Sequence, residues 1–214
     1  MLIAPSLLAA DFLNLEKDLQ LMNSAADILH LDVMDGSLVP NISFGFSVLD
    51  QLAPKVTIPM DVHLMVVEPQ RWFEKVARDG AALCSFHYEA ACGHTAAHLE
   101  TIRSLGMKAG VVANPDVPVE DLFPFIGKAD FILLMSVFAG FGGQKFIPES
   151  VQRVRTLKQE ILRRGASTLI EIDGGVSLSN AAVLREAGVD MAVAGSSVFK
   201  AEDPAAMIAA LREA

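Results

Sequence analysis

Two periods alternate along this chain. Short apolar runs that fit buried strands are followed, again and again, by stretches with apolar residues at helical spacing. A first strand is predicted over about Leu2 to Leu8, then an amphipathic helix near Leu13–Ser24 with Leu15, Leu19 and Met22 on one stripe. A second strand runs from the apolar stretch at Ala25 into His30-Leu31-Asp32-Val33-Met34, and a short helix follows near Ser47–Leu52. The third strand covers about Met60–Val66, and its helix opens after Glu68-Pro69, where proline suits a first turn. Strand four lies near Ala82–His87, and the helix over Thr95–Leu105 is stopped by Gly106. Strand five, Lys108–Ala113, precedes a short helix over about Val119–Ile126. Strand six, Asp130–Ser136, leads through a glycine-rich loop to a long helix at Pro148–Arg164 with Val151, Val154, Leu157 and Ile161 on one stripe. Strand seven is Thr168–Asp173, with a helix at Leu178–Ala187 closed by Gly188; strand eight is Asp190–Ala194, with a last helix near Pro204–Arg212.

Strict alternation of this kind implies parallel strands joined by helical crossovers. Eight units with no linker between them predict one (β/α)8 barrel domain over residues 1–214, with a doubly wound open sheet as the alternative. The barrel is the better reading. Polar groups sit at the C-terminal ends of strands one, two, three, six, seven and eight, and only a barrel brings all those ends to one mouth.

Composition narrows the partners. Of the 214 residues 52% are hydrophobic, enough for a sizeable core, and the net charge of −9 argues against a nucleic-acid surface. A small anionic substrate remains compatible, because backbone amides hold phosphate locally. Cys84 and Cys92 form no disulfide framework, Cys84 reads as a small core residue, and a reducing cytoplasm is the expected location. The first residues lack a basic segment and are broken by Pro5 and Asp11, which fits a strand better than a signal peptide. No apolar run approaches the ~20 residues that span a bilayer, so no membrane partner is expected.

The chemistry lies in three strands. Side chains alternate faces along a strand, so His30, Asp32 and Met34 share one face and Leu31 and Val33 the other. Asp61-Val62-His63-Leu64-Met65 and Glu171-Ile172-Asp173 repeat the pattern. A lone strand histidine is usually a hydrogen-bonded core residue. Three strands that each deliver His or Asp to one end are hard to obtain from core packing, because unpaired buried carboxylates are costly. His30, Asp32, His63 and Asp173 therefore form a candidate N/O ligand set for one Zn²⁺, Fe²⁺, Mn²⁺ or Co²⁺. Asp32 and Asp173 arise on different sides of the expected mouth. A substrate between them would meet one carboxylate on each face, which suits proton removal from one side of a carbon and delivery to the other. The plainer alternative is that both merely bind metal.

Met34 and Met65 continue inward faces and Met135 lies at the end of strand six, either as gap-filling core or as an apolar lid over the reacting centre. Gly140-Phe141-Gly142-Gly143-Gln144, Gly174-Gly175 and Gly195-Ser196 follow strands six, seven and eight, where barrels commonly hold phosphate; ordinary turns are the other reading. No lysine ends a strand, which argues against a Schiff-base aldolase, and Met34 stands where a metal-free Asp-x-Lys-x-x-Asp decarboxylase needs lysine. His87, His94 and His98 show no partner pattern and are expected at loop or helix surfaces.

These residues closely resemble the ribulose-phosphate 3-epimerase family over Met1 to Ala214. The resemblance rests on Pro5-Ser6-Leu7-Leu8 with Ala10-Asp11, His30 to Gly36, Val39-Pro40-Asn41, Asp61 to Met65, Met135-Ser136-Val137, Gly140 to Gln144, Asp173-Gly174-Gly175 and Ala194-Gly195-Ser196. It implies a barrel of the ribulose-phosphate-binding type in a homo-oligomer. It also implies one divalent metal per subunit, commonly zinc or iron, on His30, Asp32, His63 and Asp173. Asp32 and Asp173 would be the acid/base pair interconverting D-ribulose 5-phosphate and D-xylulose 5-phosphate. Ser6 and His63 would contact the sugar phosphate, Met34, Met65 and Met135 would cap it, and Gly142, Gly143, Gly174, Gly175, Gly195 and Ser196 would surround its phosphate. Two departures stand out. Phe138-Ala139 replaces a polar residue and proline, which removes a backbone restraint from the phosphate loop, and Ser37-Leu38 replaces His-Phe. The competing readings are a ketohexose 6-phosphate 3-epimerase, with Phe138 the place to look for that change, and a non-catalytic phosphosugar-binding barrel.

Overall fold

Eight parallel strands form one sheet in the computed structural model, which describes residues 1–214. The strands are β1 Leu2–Pro5, β2 Leu29–Met34, β3 Met60–Met65, β4 Leu83–His87, β5 Lys108–Ala113, β6 Phe131–Met135, β7 Leu169–Asp173 and β8 Met191–Ala194. Neighbours in sequence are neighbours in the sheet, and β1 also pairs with β8. The ring lacks a full ladder only between β1 and β2, where a single parallel bridge, Ser6 to His30, spans the gap. The barrel is nearly closed, and the open-sheet alternative falls away.

The crossovers follow the apolar stripes. Helix α1 (Leu15–Ala25) buries Leu19 and Met22, α2 is Phe46–Leu52, and α3 is Phe73–Arg78 behind a 3-10 turn at Pro69–Arg71. Helices α4 (Thr95–Ser104), α5 (Ser150–Arg163) and α6 (Leu178–Ala187) follow, then α7 (Ser196–Phe199) and α8 (Pro204–Glu213). On α5 the deepest residues are Ser150, Val154, Leu157 and Ile161, with Val151 only partly buried. The crossover after β5, expected as a helix, is a 3-10 segment over Val119–Phe125. Pro124 lies inside it and can donate no backbone hydrogen bond. The first strand is also shorter than expected. Beyond Pro5 the chain turns into a 3-10 helix, and the Ser6 hydroxyl accepts from the Leu8 amide at its start.

The strand faces sort the residues. Outward-facing Leu31, Val33, Val62, Leu64, Val111, Ile132, Leu134, Ile170 and Ile172 join the helices in the main core. A smaller apolar group of Ala4, Ile28, Leu83, Phe131, Met191 and Val193 fills the barrel from its N-terminal end. Cys84 is buried, as expected. No helix is long and apolar enough to cross a membrane.

Candidate active site

On β2 the inward face runs Ile28, His30, Asp32, Met34, and the adjacent β3 adds Asp61, His63 and Met65. Parallel register sets Asp32 beside His63 and Met34 beside Met65. Strand β7 contributes Glu171 and Asp173. One potential ligand atom from each of His30, Asp32, His63 and Asp173 lies within 4.8 Å of the others, so the structure brings the four expected ligands together.

Each histidine has one nitrogen committed and one free. His30 Nδ1 lies 2.6 Å from Asp61 Oδ2, while its Nε2 is buried without a hydrogen-bond partner, 3.4 Å from Asp32 Oδ1. His63 Nε2 lies 2.9 Å from His87 Nε2, while its buried Nδ1 is also unpartnered, 3.5 Å from the same Asp32 oxygen. Two orphaned imidazole nitrogens converge on one carboxylate oxygen. Buried polar atoms without partners are uncommon and call for an explanation; two nitrogen and two carboxylate donors fit a small divalent cation.

The electrostatics agree with that fit. Burial opposes charge on His30, but Asp32 and Asp61 on either side outweigh it and hold the imidazole pKa well above its ordinary value. The cluster thus lacks positive charge, and a proton on His30 supplies it. Burial lowers His63 to about 4, so this ring is neutral at physiological pH and its lone pair is available. For Asp32, burial is overcome by His30 and His63, and the carboxyl falls far below its usual range; the Ser6 hydroxyl donates to its Oδ2 at 2.5 Å. Asp173, partly exposed at the mouth, goes the other way. Desolvation and the neighbouring Asp32 charge raise it to about 7. Two carboxylates at one site, one kept ionised and the other protonated near neutrality, form the pattern of an acid/base pair.

Above this layer a cavity opens at the C-terminal end of the barrel. Ser6, Asp32, Met34, Met65, Met135 and Asp173 line it on the barrel side; Gly142, Gly143, Gly174, Gly175, Gly195 and Ser196 line it on the loop side. His30 and His63 lie beneath its floor with no exposed surface. The amides of Gly142, Gly143, Gly175 and Gly195 donate to no protein acceptor. Two of the glycines permit the close loop packing that shapes this side. A Cβ on Gly174, at φ +120°, would sit 2.5 Å from Val137 Cγ2, and one on Gly175, at φ +65°, 2.6 Å from the Phe146 nitrogen. The Gly140–Gln144 loop is itself tied down. Asn41 Nδ2 donates to the Gly140 carbonyl, and Gln144 Nε2 donates to those of Phe138 and Phe141.

Three buried residues around the site were given no role there by the sequence. Asp61 orients His30 as described. Glu171 is fully buried, with Oε1 3.9 Å from His30 Nδ1, and burial and Asp61 raise its pKa well above the carboxylate range. His30, Asp61 and Glu171 are close enough to suggest a second ligand group, but His30 Nδ1 is already bonded to Asp61, so this trio supports the first. His87 corrects an expectation. It is not a surface residue but lies fully buried inside the barrel against His63, because it shares the inward face of β4 with Ser85. His98 is partly buried too, edge-on to Phe73 and Phe86, and only His94 is exposed.

Comparison with known proteins places this geometry. Residues 2–199 match the model of the ribulose-phosphate 3 epimerase family. The ribulose-phosphate 3-epimerase of Mycobacterium bovis is 44% identical over 211 residues, covering 99% of this chain and 91% of that protein. The Bacillus subtilis protein of the same name is 40% identical over 212 residues, covering 98% and 97%. Among solved structures, a 3-hexulose-6-phosphate synthase superposes with a TM-score of 0.72 over 100% of this chain and 99% of its own; at 18% identity it speaks for the barrel alone. With a family match over residues 2–199 and relatives at this identity, the chain belongs to the ribulose-phosphate 3-epimerase family of isomerases.

Proposed function

We propose that the chain interconverts D-ribulose 5-phosphate and D-xylulose 5-phosphate by inverting C3, with Asp32 and Asp173 as the two proton-transfer groups. In either direction one carboxylate takes the C3 proton, the sugar passes through an enediolate, and the other delivers a proton to the opposite face. The observation that carries this reading is geometric: Asp32 from β2 and Asp173 from β7 line one cavity, close enough to share a site, and their surroundings push their proton affinities in opposite directions. Ser6 fixes the Asp32 carboxylate through its 2.5 Å hydrogen bond. Met34, Met65 and Met135 line the same cavity and would keep water from the enediolate. The free amides of Gly142, Gly143, Gly175 and Gly195, with Gly174 and Ser196 beside them, would hold the phosphate.

His30 Nε2, His63 Nδ1, Asp32 and Asp173 would hold one divalent ion, zinc or iron before manganese or cobalt. Such an ion supplies positive charge for the oxygens on which the enediolate's negative charge develops.

Metal analysis of the purified protein, paired with solvent-deuterium exchange at C3 of ribulose 5-phosphate, tests both halves. About one equivalent of metal per chain and deuterium incorporation at C3 are expected. Absence of exchange in metal-loaded protein would overturn the enzyme reading in favour of a phosphosugar-binding barrel. Phe138, half-exposed and lining the cavity, marks where a six-carbon sugar phosphate would be accommodated. Comparing kcat/KM for pentulose and hexulose phosphates separates the two substrates.

A further inference from the structure

His87 meets His63 edge to edge. The Nε2 atoms are 2.9 Å apart, the ring planes differ by only 17°, and the 5.0 Å centroid separation is nearly that N···N distance plus the two ring radii. This is an in-plane N–H···N hydrogen bond between two rings with no exposed surface. Such a bond takes one proton, so one Nε2 must donate and the other must accept. The assignment has consequences at both ends. His63 Nδ1 is the atom turned toward Asp32. If its lone pair is to stay free, the His63 proton must sit on Nε2, His87 Nε2 must be the acceptor, and the His87 proton must sit on Nδ1.

The far side of His87 favours that outcome. Its Nδ1 is buried without a hydrogen-bond partner, and the Glu89 carboxylate faces it with Oε2 3.6 Å away. Burial alone would raise Glu89, but His87, its own backbone amide and Asn114 outweigh it and keep the carboxyl below its usual range. A carboxylate oxygen facing His87 Nδ1 stabilises a proton there and disfavours a lone pair; Asp32 Oδ1 does the same for His63 Nδ1 at 3.5 Å until a cation between them removes that preference. Glu89 is held in turn. Its Oε1 accepts from Asn114 Nδ2 at 2.9 Å and from the Asn114 amide at 3.3 Å. Asn114 Oδ1 accepts from the Ala139 amide, just before the Gly140–Gln144 loop, and Arg153 Nη2 donates to the Asn114 carbonyl.

We infer that His87 is a positioning residue. Backed by Glu89 and Asn114, it holds His63 as the Nε2–H tautomer and so keeps the Nδ1 lone pair aimed at the metal position. The inference rests on the metal reading given above, and it reaches one residue further along a chain that ends at the phosphate loop. On the opposite side of the site Asp61 serves His30 directly. On this side a second imidazole stands between the ligand and its carboxylate.

The first test needs no substitution. Long-range ¹H–¹⁵N correlation on Zn²⁺-loaded protein labelled at histidine nitrogens reads each ring's tautomer; without metal the Asp32 oxygen 3.5 Å from His63 Nδ1 competes for the shared proton. The expected result is Nε2–H on His63 and Nδ1–H on His87. A proton on His87 Nε2 overturns the inference.

The second test is Zn²⁺ affinity, measured by competition with a chromogenic chelator. His87→Ala should weaken binding by about 10–100-fold, and His87→Gln, whose amide oxygen can accept from His63 Nε2, should recover most of that loss. The Co²⁺-loaded forms should show a changed d–d spectrum for His87→Ala and a native-like one for His87→Gln. Equal Zn²⁺ affinity in wild type and a folded His87→Ala overturns the inference. Failure of the wild type itself to bind Zn²⁺ and Co²⁺ overturns the metal reading, and this inference with it, an outcome distinct from equal affinity in the two proteins.

Discussion

The two ends of the barrel interior are built from the same strands by opposite chemistry. At the N-terminal end Ile28, Leu83, Phe131 and Met191 close the bore with apolar side chains, and Ala4 and Val193 of the same cluster reach up toward the mouth. Gly110 leaves the space that the Phe131 ring needs, since a Cβ there would sit 2.3 Å from a ring carbon. Two residues further along the same inward faces stand His30 on β2 and Glu171 on β7, with Asp61 beside them; two further still come Asp32 and Asp173, with His63 beside them. The lower end can be held by packing alone. The upper end buries several ionisable groups whose arrangement makes little sense as packing and good sense as chemistry. Stability and reactivity are therefore separated along one axis by steps of two residues, and substitutions at the two ends should have opposite consequences.

The largest effect should come from the upper end. Asp173→Asn removes one of the two proton-transfer groups while preserving size, and turnover should fall by about 10³–10⁴-fold with the metal-free fold intact by circular dichroism and thermal unfolding. Near-normal C3 exchange in that variant would remove Asp173 from the acid/base pair. At the lower end the converse holds. Phe131→Ala opens a cavity among residues that cannot fully collapse, and should cost about 3–5 kcal/mol of folding stability in urea titrations. In the fraction that remains folded, kcat should be unchanged. A loss of turnover as large as that of Asp173→Asn would mean that the two ends are not independent.

The contrast also explains what was legible in the sequence. Strand alternation placed His30, Asp32, His63 and Asp173 on shared inward faces, and their positions toward the C-terminal ends of their strands put them at the mouth. The same two-residue step would have reached Asp61 from His63 and Glu171 from Asp173, but a deeper carboxylate has no loop beside it to draw notice. His87 was missed for another reason. Its partner lies on the neighbouring strand, where Ser85 is the residue in register with His63, and a diagonal contact of that kind depends on strand tilt. Parity along Leu83–His87 was the available signal, since it puts Ser85 and His87 on one face. Helix α7, at Ser196–Phe199, is too short to complete two turns, so no helical period marks it. The 3-10 segment at Val119–Phe125 shows an apolar pattern that passes for a helix until Pro124 is weighed.

A smaller effect sharpens the comparison, because it measures what the upper end costs the fold. In the metal-free protein Asp173 is raised to about 7 from an ordinary value of 3.8. Between those values the folded chain holds a proton that the unfolded chain has released, so this group's contribution to stability declines as pH rises through the window and is level above it. His63, lowered to about 4 from 6.5, acts in the opposite sense. The unfolded chain binds the proton that the folded ring refuses, and stability rises with pH between about 4 and 6.5. The two partly cancel in wild type, but Asp173→Asn isolates the first. In urea titrations with chelator present, the variant should gain on wild type between pH 5 and pH 8 by about 2 kcal/mol, less than the whole shift would give because Asp173 still touches water at the mouth. With Zn²⁺ in excess the order should reverse, since the wild type recovers a ligand that the variant lacks. A pH-independent difference between the two proteins without metal would show that the Asp173 carboxyl is not raised by its surroundings, and that the upper end burdens the fold no more than the lower.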